Sequence, residues 1–208
     1  MRSPRTKRLF DLAVSGVLLL LLSPVFGLAF VVIGLDMLLM PSDRGPWLYR
    51  ERRISAGREF DVLKFRVLRV EAIRSIEAGS YARLLEREHE NLTRAGRFLK
   101  IAYLDELPQL VNVLRGDMSL VGPRPWPIPM VEKQREDGYR YRDEVVAGWT
   151  GPAQVRKDQP RKSYSALDLD LEYVEALRTW SGPQLVRHDI RVLWASLRTA
   201  ARGRGLQY

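Results

Sequence analysis

An apolar run from Leu12 to Leu35, bounded by Asp11 and Asp36 and interrupted at Ser23-Pro24, limits what this chain can fold into. A straight helix of about 24 residues would cross a hydrocarbon core of roughly 30 Å. Proline removes a backbone donor and clashes with the preceding turn, so the helix must kink or break there. Each half is then about 11 residues, roughly half a bilayer. Both flanks are basic, with Arg2, Arg5, Lys7 and Arg8 before the run and Arg44, Arg50, Arg52, Arg53 and Arg58 after it. Basic flanks stay on the cytoplasmic side. The two features favour a re-entrant helix-break-helix with its break at Ser23 and Pro24. A proline-kinked span and a cleaved signal segment are the alternatives.

The chain has 208 residues, which suits one ordinary domain plus one accessory element. We expect residues 1–40 to form the anchor and 41–208 a cytoplasmic domain. Cysteine is absent and only His89 and His188 are present, which excludes disulfides and thiolate metal sites and argues against zinc or a histidine triad. A net charge of +9 points to polyanionic partners. Because that charge gathers around an apolar anchor, anionic lipid headgroups are favoured over nucleic acid.

Further along, Ser55-Ala56-Gly57 reads as a hairpin turn, followed by alternation from Glu59 that predicts a half-buried strand. Lys64 and Arg66 share one face of it, and as a bare pattern they suit a solvated or lipid-facing edge. Val70 to Arg94 reads as one charge-rich helical stretch, with His89 on a solvated face. Phe98, Leu99, Ile101 and Ala102 are expected to line a second helix. Next come Asp105 and Glu106, then Pro108 and an apolar helix carrying Leu107, Leu110, Val111 and Leu114, stopped at Gly116. Acidic residues before a helix are ordinarily a cap. Here a Gly/Pro-stiffened loop follows, Gly116 to Pro125, and it holds Arg124. Two carboxylates followed by a fixed guanidinium suit phosphoryl chemistry. Gly148 to Pro152 reads as a turn and Ala153-Gln154-Val155 as a short strand. Val186 to Thr199 is a basic amphipathic helix, suited to a membrane surface or to packing on the domain.

With Lys7-Arg8-Leu9-Phe10-Asp11, Ser23-Pro24, Lys64-Phe65-Arg66, Leu104 to Leu110, Asn112-Val113-Leu114, Gly116 to Pro125, and Asp170 with Tyr173-Val174, the chain resembles the monotopic phosphoglycosyl transferases, a bacterial sugar transferase family. The resemblance covers nearly the whole chain. It implies a mostly helical α+β fold: a re-entrant anchor plus a small catalytic domain with amphipathic interfacial helices and a short β-hairpin. It also implies transfer of sugar-1-phosphate from a UDP-sugar to a polyprenol phosphate at the cytoplasmic face of the bacterial inner membrane, releasing UMP. On that resemblance Asp105 is the nucleophile, Glu106 a ligand of Mg²⁺, and Arg124 a phosphate-binding residue. Lys64, Lys100 and Asp170 are pocket residues.

Three departures bear on sugar or nucleotide preference. Lys100 stands where the family usually has Arg, a point charge in place of a bidentate fork. Ala147 to Gln154 reads Ala-Gly-Trp-Thr-Gly-Pro-Ala-Gln where Pro-Gly-Ile-Thr-Gly-Trp-Ala-Gln is expected, and Glu51 replaces a Gln. The rival reading is a catalytically weak or inactive membrane-surface scaffold of the same fold. The sequence leaves the sugar, the glycan pathway and the oligomeric state open.

Overall fold

The break at Ser23-Pro24 separates two helices in the computed structural model, which describes residues 4–77, 82–101, 103–155 and 165–201. Helix α1 spans Arg5–Leu21 and α2 spans Ser23–Leu39, with a 56° bend between them. Pro24 falls in the first turn of α2, where its missing N–H breaks no bond of that helix. Its cost falls on the Leu20 carbonyl, which the Ser23 hydroxyl satisfies instead, donating at 2.8 Å. The serine is thus the chemical complement of the proline beside it.

A hairpin follows, β1 (Leu48–Ser55) and β2 (Arg58–Phe65), turning on Ala56 and Gly57 with φ of 48° and 73°. Two successive positive φ values match the right-handed twist of the strands. Helices α3 (Val70–Glu77), α4 (Ala82–Leu85) and α5 (Arg94–Ile101) come next, then α6 (Gln109–Arg115) and β3 (Met118–Val121). After them run α7 (Ile128–Glu136), α8 (Tyr141–Glu144), β4 (Ala147–Thr150) and α9 (Pro152–Val155). The last helices are α10 (Ala166–Thr179) and α11 (Gly182–Ala201). The fold is mostly helical α+β with a small hairpin, as expected.

By contacts the chain forms two compact units. The first takes residues 1–18, 51–62 and 109–208. Its centre is a parallel pair, β3 with β4, in which Met118 faces Ala147 and Val121 faces Thr150. Helices α6 and α11 pack on that pair, and Leu110, Val113, Leu120 and Leu185 are fully enclosed. Here α1 is built inside out: Lys7, Asp11 and Ser15 are its buried residues, while Leu9 and Val17 are exposed. The second unit takes residues 19–50 and 63–108. In it α2 packs on α5, and Phe26, Phe30 and Phe65 stack with ring centroids 5.3–5.6 Å apart. Of α2 only Ala29 and Ile33 are buried; Leu28, Val31, Leu35, Leu38 and Leu39 are exposed.

Several expectations are corrected. Lys64 and Arg66 are buried, not edge residues. Arg66 satisfies its guanidinium on the carbonyls of Pro46 (2.7 Å), Leu68 (2.9 Å) and Asp43, which is how a cation at 2 % exposure is tolerated. The stretch Val70 to Arg94 breaks into α3, α4 and a 3₁₀ turn at His89–Asn91. Strand β3 lies inside the supposed loop, and Gly148–Thr150 is its partner rather than a turn. Close pairing explains the glycine, since a Cβ at Gly148 would strike the backbone of Gly122. Ala153-Gln154-Val155 is helical. On α5, Leu99 is buried but Phe98 and Ile101 are exposed. Arg2 and Ala102 lie outside the described residues.

Arg66→Ala would leave three carbonyls without their donor and take one of two cations from the buried Asp43 carboxylate, which keeps Arg69 at 3.6 Å. It is expected to cost about 3 kcal/mol, read as a lowered midpoint in detergent-solubilised thermal melts.

Candidate active site

Helix α5 ends with Tyr103 at φ 55°, the left-handed conformation that glycine usually supplies. The Leu104 amide donates to the Leu99 carbonyl at 2.9 Å and closes the cap. The chain then makes a turn over Asp105 to Pro108 before α6 begins at Gln109. Asp105 therefore precedes the helix by four positions and is not its cap. Its backbone is fixed from the side: the Phe65 amide at the end of β2 donates to the Asp105 carbonyl at 2.9 Å. That bond sets β2 beside the turn and brings Lys64 to the carboxylates.

Asp105 is 6 % exposed. Burial, then the neighbouring Glu106 carboxylate, push its carboxyl up to about 7, with Glu86 adding to the rise and Lys64 and Lys100 opposing it. Lys64 Nζ stands 3.8 Å from Glu106 Oε1, an ion pair without hydrogen-bond contact. Lys100 donates to Glu86 twice, to its carboxylate at 2.9 Å and its carbonyl at 2.7 Å. The second unit thus gathers Asp105, Glu106, Lys64 and Lys100. It adds Glu86, which the sequence alone hid among Glu88, Glu90 and His89 on a charge-rich stretch.

Arg124 and Asp170 belong to the first unit. Asp170 is buried on α10, where it accepts from the Tyr141 hydroxyl and from Arg142, both at 2.9 Å. Burial raises both the Asp170 carboxyl and the Tyr141 phenol, so the phenol serves as a donor. Arg142 stacks on Trp126, 4.1 Å from the ring centroid, donates to the Gln134 side-chain oxygen (3.0 Å), and donates to the Arg124 carbonyl. Asp170 and Arg124 are thus linked through Arg142, a residue whose sequence context gave no signal. Glu51, one of the departures, pairs with Arg53 at 2.6 Å, and Arg53 donates to the Pro125 carbonyl at 3.3 Å. It too acts on the backbone around Arg124.

Among the described residues no group of three or more His, Asp and Glu side chains is placed to hold a metal ion. Mg²⁺ commonly takes one or two carboxylates and completes its shell with water and substrate oxygens. Glu106, with about a quarter of its side chain exposed, is the carboxylate suited to it.

Residues 2–202 match the model of the bacterial sugar transferase family. The chain belongs to that family. It is 33% identical over 199 residues to the UDP-glucose:undecaprenyl-phosphate glucose-1-phosphate transferase of Escherichia coli, covering 92% of this chain and 39% of that protein. It is 36% identical to the undecaprenyl-phosphate glucose phosphotransferase of Komagataeibacter xylinus, covering 92% of this chain and 35% of that one. The chain spans little more than a third of those two relatives. Against the uncharacterized sugar transferase EpsL of Bacillus subtilis, 33% identical, it covers 97% of itself and 90% of the relative.

The Asp105 carboxyl titrates higher in the folded chain than the ~3.9 of a free aspartate, so the fold binds the extra proton and loses stability as pH rises from about 4 through about 7. Asp105→Asn is expected to melt higher than wild type at pH 8 in EDTA, by on the order of 2 kcal/mol, and to match it near pH 4. Melting curves of the two proteins at both pH values check this.

Proposed function

We propose that this chain transfers sugar-1-phosphate from a UDP-sugar to a polyprenol phosphate, undecaprenyl phosphate in bacteria, releasing UMP in the first membrane step of glycan assembly. The observation that carries the reading is the buried Asp105 carboxylate set between acidic neighbours and two lysines. The names of the E. coli and Komagataeibacter relatives support the substrate classes.

An Asp105 oxygen attacks the sugar-linked phosphorus, and the bond from that phosphorus to the bridging oxygen breaks. UMP leaves with the electron pair, and the sugar phosphate stays on Asp105 as an acyl phosphate. The lipid phosphate then attacks the same phosphorus, the acyl–phosphate bond breaks, and the carboxylate is restored. A carboxylate approaching a diphosphate meets like charge. Lys64 and Lys100 offset that repulsion, and Arg124 offers a two-pronged donor to phosphate oxygens. Glu106 would hold Mg²⁺, which when bound supplies further neutralisation of phosphate charge. The raised Asp105 carboxyl keeps the nucleophile basic enough to attack near neutral pH while still ionisable there.

The membrane assignment rests on α1 and α2. No single helix among the described residues is long and apolar enough to cross a membrane, and the two form one bent pair. Their exposed apolar side chains suit a lipid surround, and the basic residues on both flanks suit entry and exit by the cytoplasmic face. The anchor is re-entrant and the active site lies at headgroup depth. Anionic headgroups and the acceptor's phosphate meet it there.

Purified protein with Mg²⁺, polyprenol phosphate and a panel of UDP-sugars should release UMP. Asp105→Asn should lose at least a thousandfold of that rate. Without lipid acceptor, label from the sugar-linked phosphate should stay on the wild type in a hydroxylamine-labile bond and be absent from Asp105→Asn. Label that persists on the variant places the nucleophile elsewhere, and no UMP from any sugar favours the scaffold. Because the chain lacks cysteine, Arg5→Cys and Arg44→Cys report topology directly. Both should be shielded from an impermeant maleimide in intact cells, and labelling of one alone means a span.

A further inference from the structure

The segment that bears Arg124 is held carbonyl by carbonyl. Gly148 donates its amide to Pro123 at 2.8 Å, Arg142 donates to Arg124, Arg53 to Pro125, and the Ile54 amide to Trp126 at 3.2 Å. The first carbonyl of the series, Val121, has the heaviest attachment. It receives Lys7 Nζ at 3.1 Å, the Tyr173 hydroxyl at 2.9 Å and the Ser119 hydroxyl at 3.1 Å. Behind it sits Asp189, fully buried on α11, which accepts from Lys7 at 2.5 Å and from Tyr173 at 2.9 Å. The phenol has one proton for two acceptors, so Asp189 and Val121 share it. Lys7 has three, and it also lies 3.9 Å from Asp11. Asp11 in turn takes the Ser119 hydroxyl at 2.8 Å and the Leu120 amide at 3.2 Å.

A buried ion pair is a poor way to stabilise a core, since well-packed apolar side chains of the same volume do as well or better. Lys7 is 1 % exposed and Asp189 is 0 % exposed, so the pair bears the full desolvation cost. What apolar residues cannot do is grip a carbonyl from a chosen direction. Val121 is the last residue of β3, and from it Gly122 and Pro123 lead straight to Arg124. Proline fixes one of the two intervening φ angles, and the Gly122 amide is tied to the Thr150 carbonyl at 2.9 Å. Direction fixed at Val121 is thus carried to the backbone of Arg124, from which the guanidinium extends.

We propose that Lys7, Tyr173 and Asp189 are positioning residues for Arg124, a buried clamp on the Val121 carbonyl that aims the phosphate-binding side chain. The inference rests on the proposed transferase reading, in which Arg124 meets the substrate diphosphate. Lys7 from α1 and Tyr173 from α10 meet on that carbonyl, and Asp189 from α11 holds both donors in place.

Tyr173→Phe removes one hydroxyl and keeps the ring that packs against His188, at 5.7 Å between centroids. It is expected to lower kcat/KM for the UDP-sugar about tenfold when Arg124 is present, and less than twofold in an Arg124→Ala background. Asp189→Asn should follow the same pattern. Equal losses in both backgrounds would mean that the cluster merely stabilises the fold and overturn the proposal. Failure of the transferase reading shows separately, as a wild type that releases no UMP. The clamp is then read by hydrogen exchange: amides across residues 118–126 should exchange at least tenfold faster in Tyr173→Phe than in wild type, with exchange across α6 unchanged. Unchanged exchange over 118–126 overturns it.

Discussion

The bond from the Phe65 amide to the Asp105 carbonyl joins the two local structures on which the site depends. On one side is a strand whose last residues bring Lys64 inward. On the other is a helix end whose left-handed cap at Tyr103 turns the chain sharply enough to present adjacent carboxylates. Neither would place a nucleophile alone. Adjacent side chains on a strand face opposite ways, and adjacent residues on a helix diverge by about a hundred degrees. A turn escapes both rules, so Asp105 can be enclosed while Glu106 stays partly in solvent. The proposed roles need those different environments: a nucleophile must lose water to become reactive, and a metal ligand must keep room for water and substrate oxygens in a cation's shell.

Much of this was legible in the residues and some was not, for identifiable reasons. The helix break, the Ala56-Gly57 turn and the amphipathic last helix follow from local chemistry: a proline, a pair of positive φ values, a repeat at helical spacing. Strand β3 was hidden because four residues are too few to display a period, and all four are buried, which removes the alternation that marks a half-exposed strand. Lys64 and Arg66 misled for a related reason. A cation at a strand end reads as solvated unless one knows which carbonyls are aimed at it, and Pro46, Leu68 and Asp43 are brought there only by tertiary structure. Glu86 and Arg142 were invisible because a charged residue among charged residues carries no local signal. Their roles rest on partners 14 and 28 residues away.

The lysine at position 100 shows how the surroundings adjust to a substitution. An arginine spreads its charge over a planar fork and finds two acceptors in one plane. An ammonium is a point charge with three donors, and here two of them go to Glu86, through its side chain and its backbone. The same carboxylate adds negative charge beside Asp105. Lys100 and Glu86 thus act on the Asp105 carboxyl in opposite directions, and the departure from the family pattern comes with a counter-ion that limits how far Lys100 can draw it down.

A helix that buries Lys7, Asp11 and Ser15 while exposing Leu9 and Val17 has the reverse of the pattern water imposes. In lipid the arrangement is sensible, since apolar side chains meet the acyl chains and polar ones are spent on the protein. The four-residue spacing of the buried set keeps it on one face, and that face meets β3, where Asp11 and Lys7 take up Ser119, Leu120 and Val121. The first half of the proposed anchor is therefore also part of the unit that carries Arg124. An anchor joined by a flexible linker would tether the chemistry at any depth and tilt. One whose polar face is hydrogen-bonded to the strand leading to Arg124 would, on the proposed re-entrant anchoring, fix the height of that loop against the bilayer.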